Sequence, residues 1–174
     1  AGLFQCKGEG FGVWLRDSVH IAMRGGSLID PETAGRSLLY AIKKGFDNGS
    51  DGPAMGAVGL WDYYLATGDR SLLEDGYDVL RETMTEIENR YNEEKGLVRA
   101  EQSTSNDAFP EPENAGYSLG SECYYMKAYD SMAKIEKLLH GENENSEKWS
   151  KVSEQLREKI REEYWNDEAG YFTS

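Results

Sequence analysis

Several residue types and patterns are scarce in this chain, and each scarcity closes off a class of function. Of 174 residues, only two are cysteine and two are histidine. Cys6 and Cys123 lie far apart with neither CxxC nor metal-ligand spacing, so they are expected as free thiols rather than a bridge. His20 and His140 have no further histidine for company, so neither a metal set nor a cofactor is expected. No apolar run approaches the roughly 20 residues of a membrane span. The sequence does not open on a basic stretch followed by an apolar core, so no secretion signal is visible and the compartment stays open. Basic residues are also few, 19 against 32 acidic, for a net charge of −13. That balance argues against nucleic-acid phosphates and anionic membrane surfaces as partners, and fits a neutral one.

What is present describes a globular domain. Hydrophobic residues make up 39% and aromatics 11%, too much apolar matter for a disordered chain. At 174 residues the chain has the length of one domain with a real core.

The pattern along the chain is helical throughout. A Gly-rich opening leads to a first helix beginning at Asp17 and ending by Gly25-Gly26. Asp30 followed by Pro31 is an N-cap with proline at the first helical position, and opens a helix to about Phe46. The stretch Asp47-Asn48-Gly49-Ser50-Asp51-Gly52 is loop chemistry. Pro53 restarts a helix that is apolar on most faces, and so is expected to be buried on most faces. Asp69 caps an amphipathic helix from Arg70 to about Tyr91, the outer partner of the buried one. A long loop, 92–116, separates these from a fairly apolar helix, Tyr117 to His140, and a charged amphipathic one, Glu144 to Trp165. The order has repeated. Tyr91-Asn92-Glu93-Glu94-Lys95-Gly96-Leu97-Val98 resembles Tyr164-Trp165-Asn166-Asp167-Glu168-Ala169-Gly170-Tyr171-Phe172. Each closes an outer helix with an acidic turn, a glycine and an apolar extended pair. A period on the order of 70 residues, two helices each, predicts an all-α fold of stacked helical hairpins at about 17–46, 53–91 and 117–165.

In such an array the inner helices run parallel, so the loops before them meet at one end. That geometry gathers Trp14, Arg16, Asp17, Asp51, Asp107 and Glu111 on one rim. Trp14 offers a flat apolar face, Arg16 a fork of donors and Asp17 an acceptor, the groups that line a sugar-binding wall. Simpler readings stand beside these. Asp17 and Asp51 are also suited to helix caps, Trp61, Tyr63 and Tyr64 to the core, and His20 to ordinary packing. The acidic runs at Glu93-Glu94 and between Glu142 and Glu147 read as solvated turns.

With these residues in view, the chain resembles the six-hairpin (α/α)6-toroid glycosidases: glucoamylases, glycogen-debranching enzymes, processing α-glucosidases and the related disaccharide phosphorylases. Trp14-Leu15-Arg16-Asp17-Ser18 is similar to the Trp-x-Arg-Asp-Ser segment of glucoamylases, whose Arg and Asp bind hydroxyls of the sugar being cleaved. Asp51-Gly52-Pro53-Ala54 resembles their Asn-Asp-Gly-Pro-Ala, and the stretch from Leu60 to Asp69 resembles the aromatic-Tyr-x-Thr-Gly-Asp hairpin turn of the superfamily. The resemblance implies a general acid at Asp107, with Glu111 and Glu113 as rivals, and a sugar contact at Glu122, five residues into the next helix. No Trp or Met precedes Asp107, where those families carry one.

The implied reaction is inverting hydrolysis of glycosidic bonds in α-glucosides or oligosaccharides. It needs one protonated carboxyl for the leaving oxygen and a second carboxylate, roughly 6.5–9.5 Å away, to activate water. In the resembling families the base lies in a later hairpin. A closed toroid at this period needs on the order of 400 residues, so the chain is expected to be about half of one, inactive alone, and open to homodimer formation through exposed inner-helix flanks. A disaccharide phosphorylase on the same toroid is the competing enzyme. Its phosphate would need basic or hydroxyl groups, and near Asp107 there are Ser103, Thr104 and Ser105 but little cationic charge. A helical-repeat scaffold without activity is the third reading, and leaves the placement of Trp14, Arg16 and the acids unexplained.

Overall fold

A computed structural model of the chain describes residues 2–4, 15–45, 51–100 and 116–173. Three helical hairpins are stacked side by side. In the first, α1 (Leu15–Ile21), a π-helical turn (Ala22–Gly26) and the single turn α2 (Ser27–Ile29) form the inner arm, and α3 (Pro31–Lys44) the outer arm. The second pairs α4 (Gly52–Thr67) with α5 (Ser71–Glu88), and the third pairs α6 (Leu119–His140) with α7 (Glu144–Tyr164). Inner packs on inner, with α4 against both α1 and α6, while outer α3 packs on outer α5. This is the all-α array of stacked hairpins that the periodicity predicts. No helix among the described residues is long and apolar enough to cross a membrane.

The inner and outer helices differ as their sequences dictate. Every residue of α4 from Gly52 to Leu60 is buried. In α5 the inner stripe of Leu72, Leu73, Leu80, Met84 and Ile87 is buried while the intervening acids face out. Close approach of α4 to its neighbours relies on Gly59, where an added Cβ would lie 2.8 Å from Leu38 Cδ2 and 3.1 Å from Val19 Cγ1.

Local capping sets the helix starts. The Asp30 carboxylate accepts the Thr33 N–H at 3.1 Å, with Pro31 at the first helical position. Asp69 accepts the Ser71 N–H at 3.0 Å and thereby starts α5 one residue later than its sequence suggests. Asn143 and Ser146 form a reciprocal capping box at α7. At the closed end of the second and third hairpins, buried Glu136 accepts from the Tyr77 hydroxyl and, at 2.8 Å, from the Asn143 amide, tying α5 and α6 to the start of α7.

Other boundaries also differ from the sequence reading. The first helix is already formed at Leu15, so Asp17 lies inside its first turn rather than capping it. Gly25-Gly26 kink the inner arm without ending it, because Gly26 keeps helical angles and the Ser27 hydroxyl bridges back to the Ala22 carbonyl at 2.8 Å. The outer helices stop before Tyr91 and Trp165, which begin short strands: β1 (Tyr91–Asn92) pairs antiparallel with β2 (Leu97–Val98), and β3 (Trp165–Asn166) with β4 (Tyr171–Phe172).

The two β-hairpins are structural twins. In the first, Gly96 N–H donates to the Asn92 carbonyl at 2.7 Å and Lys95 N–H to the Asn92 side chain at 2.9 Å. In the second, Gly170 and Ala169 make the same bonds to Asn166, each at 2.8 Å. Gly96 and Gly170 sit at φ +65° and +73°, where a side chain is strained. Only their burial differs. Leu97 and Val98 are buried, whereas Trp165, Tyr171 and Phe172 are exposed.

Gly26 offers a test of this packing. An added Cβ there would meet the Phe4 ring at 2.5 Å and the Ile21 carbonyl oxygen at 2.8 Å. Gly26→Ala is therefore expected to destabilise the fold by about 1–3 kcal/mol, seen as a lower urea midpoint at unchanged slope.

Candidate active site

The parallel inner helices bring their N-terminal turns to one end, and of the residues predicted for a rim Arg16, Asp17 and Asp51 lie there. Arg16, in the first turn of α1, reaches across to Asp51 at the start of α4. Its Nε donates to both carboxylate oxygens, at 3.2 and 3.1 Å, and its Nη2 to Oδ2 at 3.0 Å. Asp51 is fully buried and Arg16 partly exposed. Asp51 therefore makes no side-chain cap to α4; its carboxylate is drawn to the guanidinium instead. A buried carboxylate needs such a partner, because desolvation would otherwise drive it to its neutral form.

His20 stands one turn along α1, with its Nε2 3.5 Å from the Tyr124 hydroxyl of α6 and the two rings edge to face. Burial and the nearby Arg16 lower its pKa, so the imidazole is neutral at pH 7. Trp61 and Tyr64 form a tilted ring pair against the core, and Tyr63 is buried.

Glu122 lies in the first turn of α6, behind the Ser118 cap. It is fully buried. Its Oε2 accepts the Val98 N–H at 3.2 Å, fastening the first β-hairpin to α6, while Oε1 has no hydrogen-bond partner among the described residues. Burial, only weakly opposed by that one bond, raises the carboxyl to about 8. Glu122 is thus a neutral acid at pH 7, with a proton available on one oxygen. Next to it, the buried Tyr125 lies within electrostatic reach of Arg90, Glu122 and Asp51, and burial raises its hydroxyl to about 12.

The residues singled out in the sequence thus divide into three groups. Arg16 and Asp51 are brought into contact, with Asp17 in the same helical turn as Arg16. Glu122, buried as Asp51 is, lies beneath the surface of the rim. Trp14, Asp107, Glu111, Glu113 and Cys6 lie outside the described residues, while Cys123 is a free, exposed thiol. Among the described residues no cluster of His, Cys, Asp and Glu is arranged for a metal ion. Sequence reasoning does not reach Arg90, Tyr124 and Tyr125. Their one signal is the Tyr-Tyr pair that follows Glu122 at the start of an inner helix.

Glu122 makes the pH dependence of stability testable. Its carboxyl titrates near 4.5 in the unfolded chain and near 8 in the fold. Between these values the unfolded state has lost a proton that the folded state still holds, so this group makes stability fall as pH rises across that window and level off above it. Glu122→Gln keeps a neutral side chain and is expected to flatten that part of the curve, as measured by urea unfolding across the same window.

No curated protein matches the chain. Residues 13–174 match the model of a family described as the bacterial alpha-L-rhamnosidase six-hairpin glycosidase domain. The match takes in all three hairpins, the Arg16–Asp51 pair and both β-hairpins. Within the six-hairpin superfamily to which the motifs point, the chain belongs to the bacterial alpha-L-rhamnosidase six-hairpin glycosidase domain family, and is a glycoside hydrolase domain.

Proposed function

We propose that this domain supplies one wall and the general acid of an inverting glycosidase. The observation that carries the reading is the Arg16–Asp51 pair, which joins the Trp-x-Arg-Asp-Ser and Asp-Gly-Pro-Ala motifs at the gathered helix N-termini. Asp51 holds the guanidinium by one edge and leaves the partly exposed remainder to face a sugar hydroxyl. Trp14 and Asp17 complete the wall, the first as an apolar platform and the second as a hydroxyl acceptor. Glu122 acts from below, through Val98. Asp107 is the acid and Glu111 its rival. The acid must be protonated to release the leaving oxygen, while a second carboxylate activates water on the opposite face of the sugar.

The family description favours an α-L-rhamnoside, whereas the glucoamylase-like motifs favour an α-glucoside. Both belong in a substrate panel on the full-length protein, with and without inorganic phosphate. Phosphate-independent release of the inverted anomer, followed by NMR, is the expected result. Asp107→Asn should lower the rate by roughly 10²–10⁴-fold. Release that requires phosphate would overturn hydrolysis in favour of phosphorolysis, and a folded protein inactive on every glycoside would favour the scaffold.

A further inference from the structure

Below the Arg16–Asp51 pair, the polar groups of the inner helices lie in tiers. These helices run parallel from one end, so residues later in each helix lie deeper. His20 and Tyr124 are each the sixth residue of their helix, α1 and α6, and meet at one level. His20 follows Arg16 by four residues, which sets both on one face of α1, roughly 6 Å apart along its axis. Both rings lie within electrostatic reach of the Arg16 guanidinium. One step deeper, Asp62 of α4 lies within reach of Lys127 of α6 and of Arg24 in the π-helical turn. Between these two ionic tiers stand a phenol and an imidazole that burial and Arg16 hold neutral.

The two rings pack well but do not bring their polar atoms together. Their centroids, 6.0 Å apart at 73°, have an ordinary edge-to-face separation. The His20 Nε2 and the Tyr124 hydroxyl stand 3.5 Å apart, well beyond the roughly 2.9 Å of a well-formed hydrogen bond. Both side chains are half-buried, so a ligand can reach them. One inserted hydroxyl can bridge such a gap, accepting from one group and donating to the other. Each of the two groups has both donor and acceptor capacity. The pair therefore matches a hydroxyl, which has both, better than an anion, which only accepts.

We propose that His20 and Tyr124 together bind one hydroxyl of the sugar that Arg16 holds, and so determine which sugar the wall accepts. Arg16 takes one edge of the ring and the pair takes a hydroxyl deeper along the same face, a span that one pyranose covers. The two residues come from the first and third hairpins, and α4 packs between their helices. The hydroxyl is thus read where all three hairpins meet. This inference rests on the reading of Arg16 as part of a sugar-binding wall, and assigns neither residue a proton transfer.

The test is NMR titration of the full-length protein with methyl α-L-rhamnopyranoside and methyl α-D-glucopyranoside, each compared with its monodeoxy forms. Wild type is expected to bind one of the parents, and to lose roughly tenfold in affinity for the deoxy form that lacks the bridging hydroxyl. Tyr124→Phe removes one oxygen, keeps the ring contact, and should bind that deoxy form as tightly as the parent. His20→Phe should do the same, whereas His20→Gln, which keeps a polar group near the position of Nε2, should retain part of the discrimination. A purely structural role would weaken parent and deoxy forms by the same factor in every variant. That result, discrimination undiminished in both phenylalanine variants, equal binding of all deoxy forms by wild type, or binding of neither parent would overturn the assignment. Hydrolysis of the corresponding p-nitrophenyl glycosides, measured on the same preparations, separates it from the mechanism proposed above. Discrimination that disappears in the variants without any hydrolysis would leave the sugar contacts standing and remove the hydrolytic mechanism. Hydrolysis with discrimination intact in the variants would remove the pair alone.

Discussion

The array depends on how closely its neighbours can approach α4. From Gly52 to Leu60 this helix has no exposed side, and it touches α1, α3, α5 and α6. A helix surrounded in this way cannot carry large residues on every face. The run Gly52-Pro53-Ala54-Met55-Gly56-Ala57-Val58-Gly59 therefore alternates small and medium side chains, and Leu38 and Val19 settle on the bare backbone at Gly59. Each glycine in a helix interior costs about 1 kcal/mol relative to alanine. Close packing around α4 offsets that cost, because dispersion and burial both grow as the gap between helices narrows.

The same closeness governs the chemistry of the rim. Groups brought to the N-terminal ends of three packed helices lose water, and each responds according to its partners. Asp51 is matched by Arg16, His20 is held neutral, and Glu122 keeps its proton. The buried electrostatics are thus almost balanced within one cluster. Among the described residues of the rim, the charge that still faces outwards is on the exposed part of Arg16 and on the partly exposed Asp17 beside it.

Features decided by neighbours in sequence are legible in the residues themselves. The Asp30-Pro31 start, the apolar circumference of α4, the amphipathic stripe of α5 and the repeated turn all arise within a few residues of chain, and all form. The Arg16–Asp51 contact is foreshadowed only by the deduction that parallel inner helices bring their leading loops together. Glu122 stands out in the sequence, but its burial does not, since that depends on Val98 reaching α6 from the preceding hairpin. Gly25-Gly26 reads as a helix end and is a kink, because two glycines in a row carry the same signal whether or not Phe4 packs over the second.

The twin hairpins also bear on how such a chain acquires its shape. One buries its apolar pair Leu97-Val98 and the other leaves Tyr171-Phe172 exposed, yet their internal bonds agree to within about 0.2 Å, so the turn is shaped by its own eight residues and not by what later covers it. A unit of that kind can form on the microsecond timescale of an isolated hairpin, before distant helices have met. Once formed, it fixes the direction in which the chain leaves the outer helix, and so limits the search that the next inner helix must make for its berth. Assembly then proceeds by adding neighbours of low sequence separation, which is the rapid regime of protein folding.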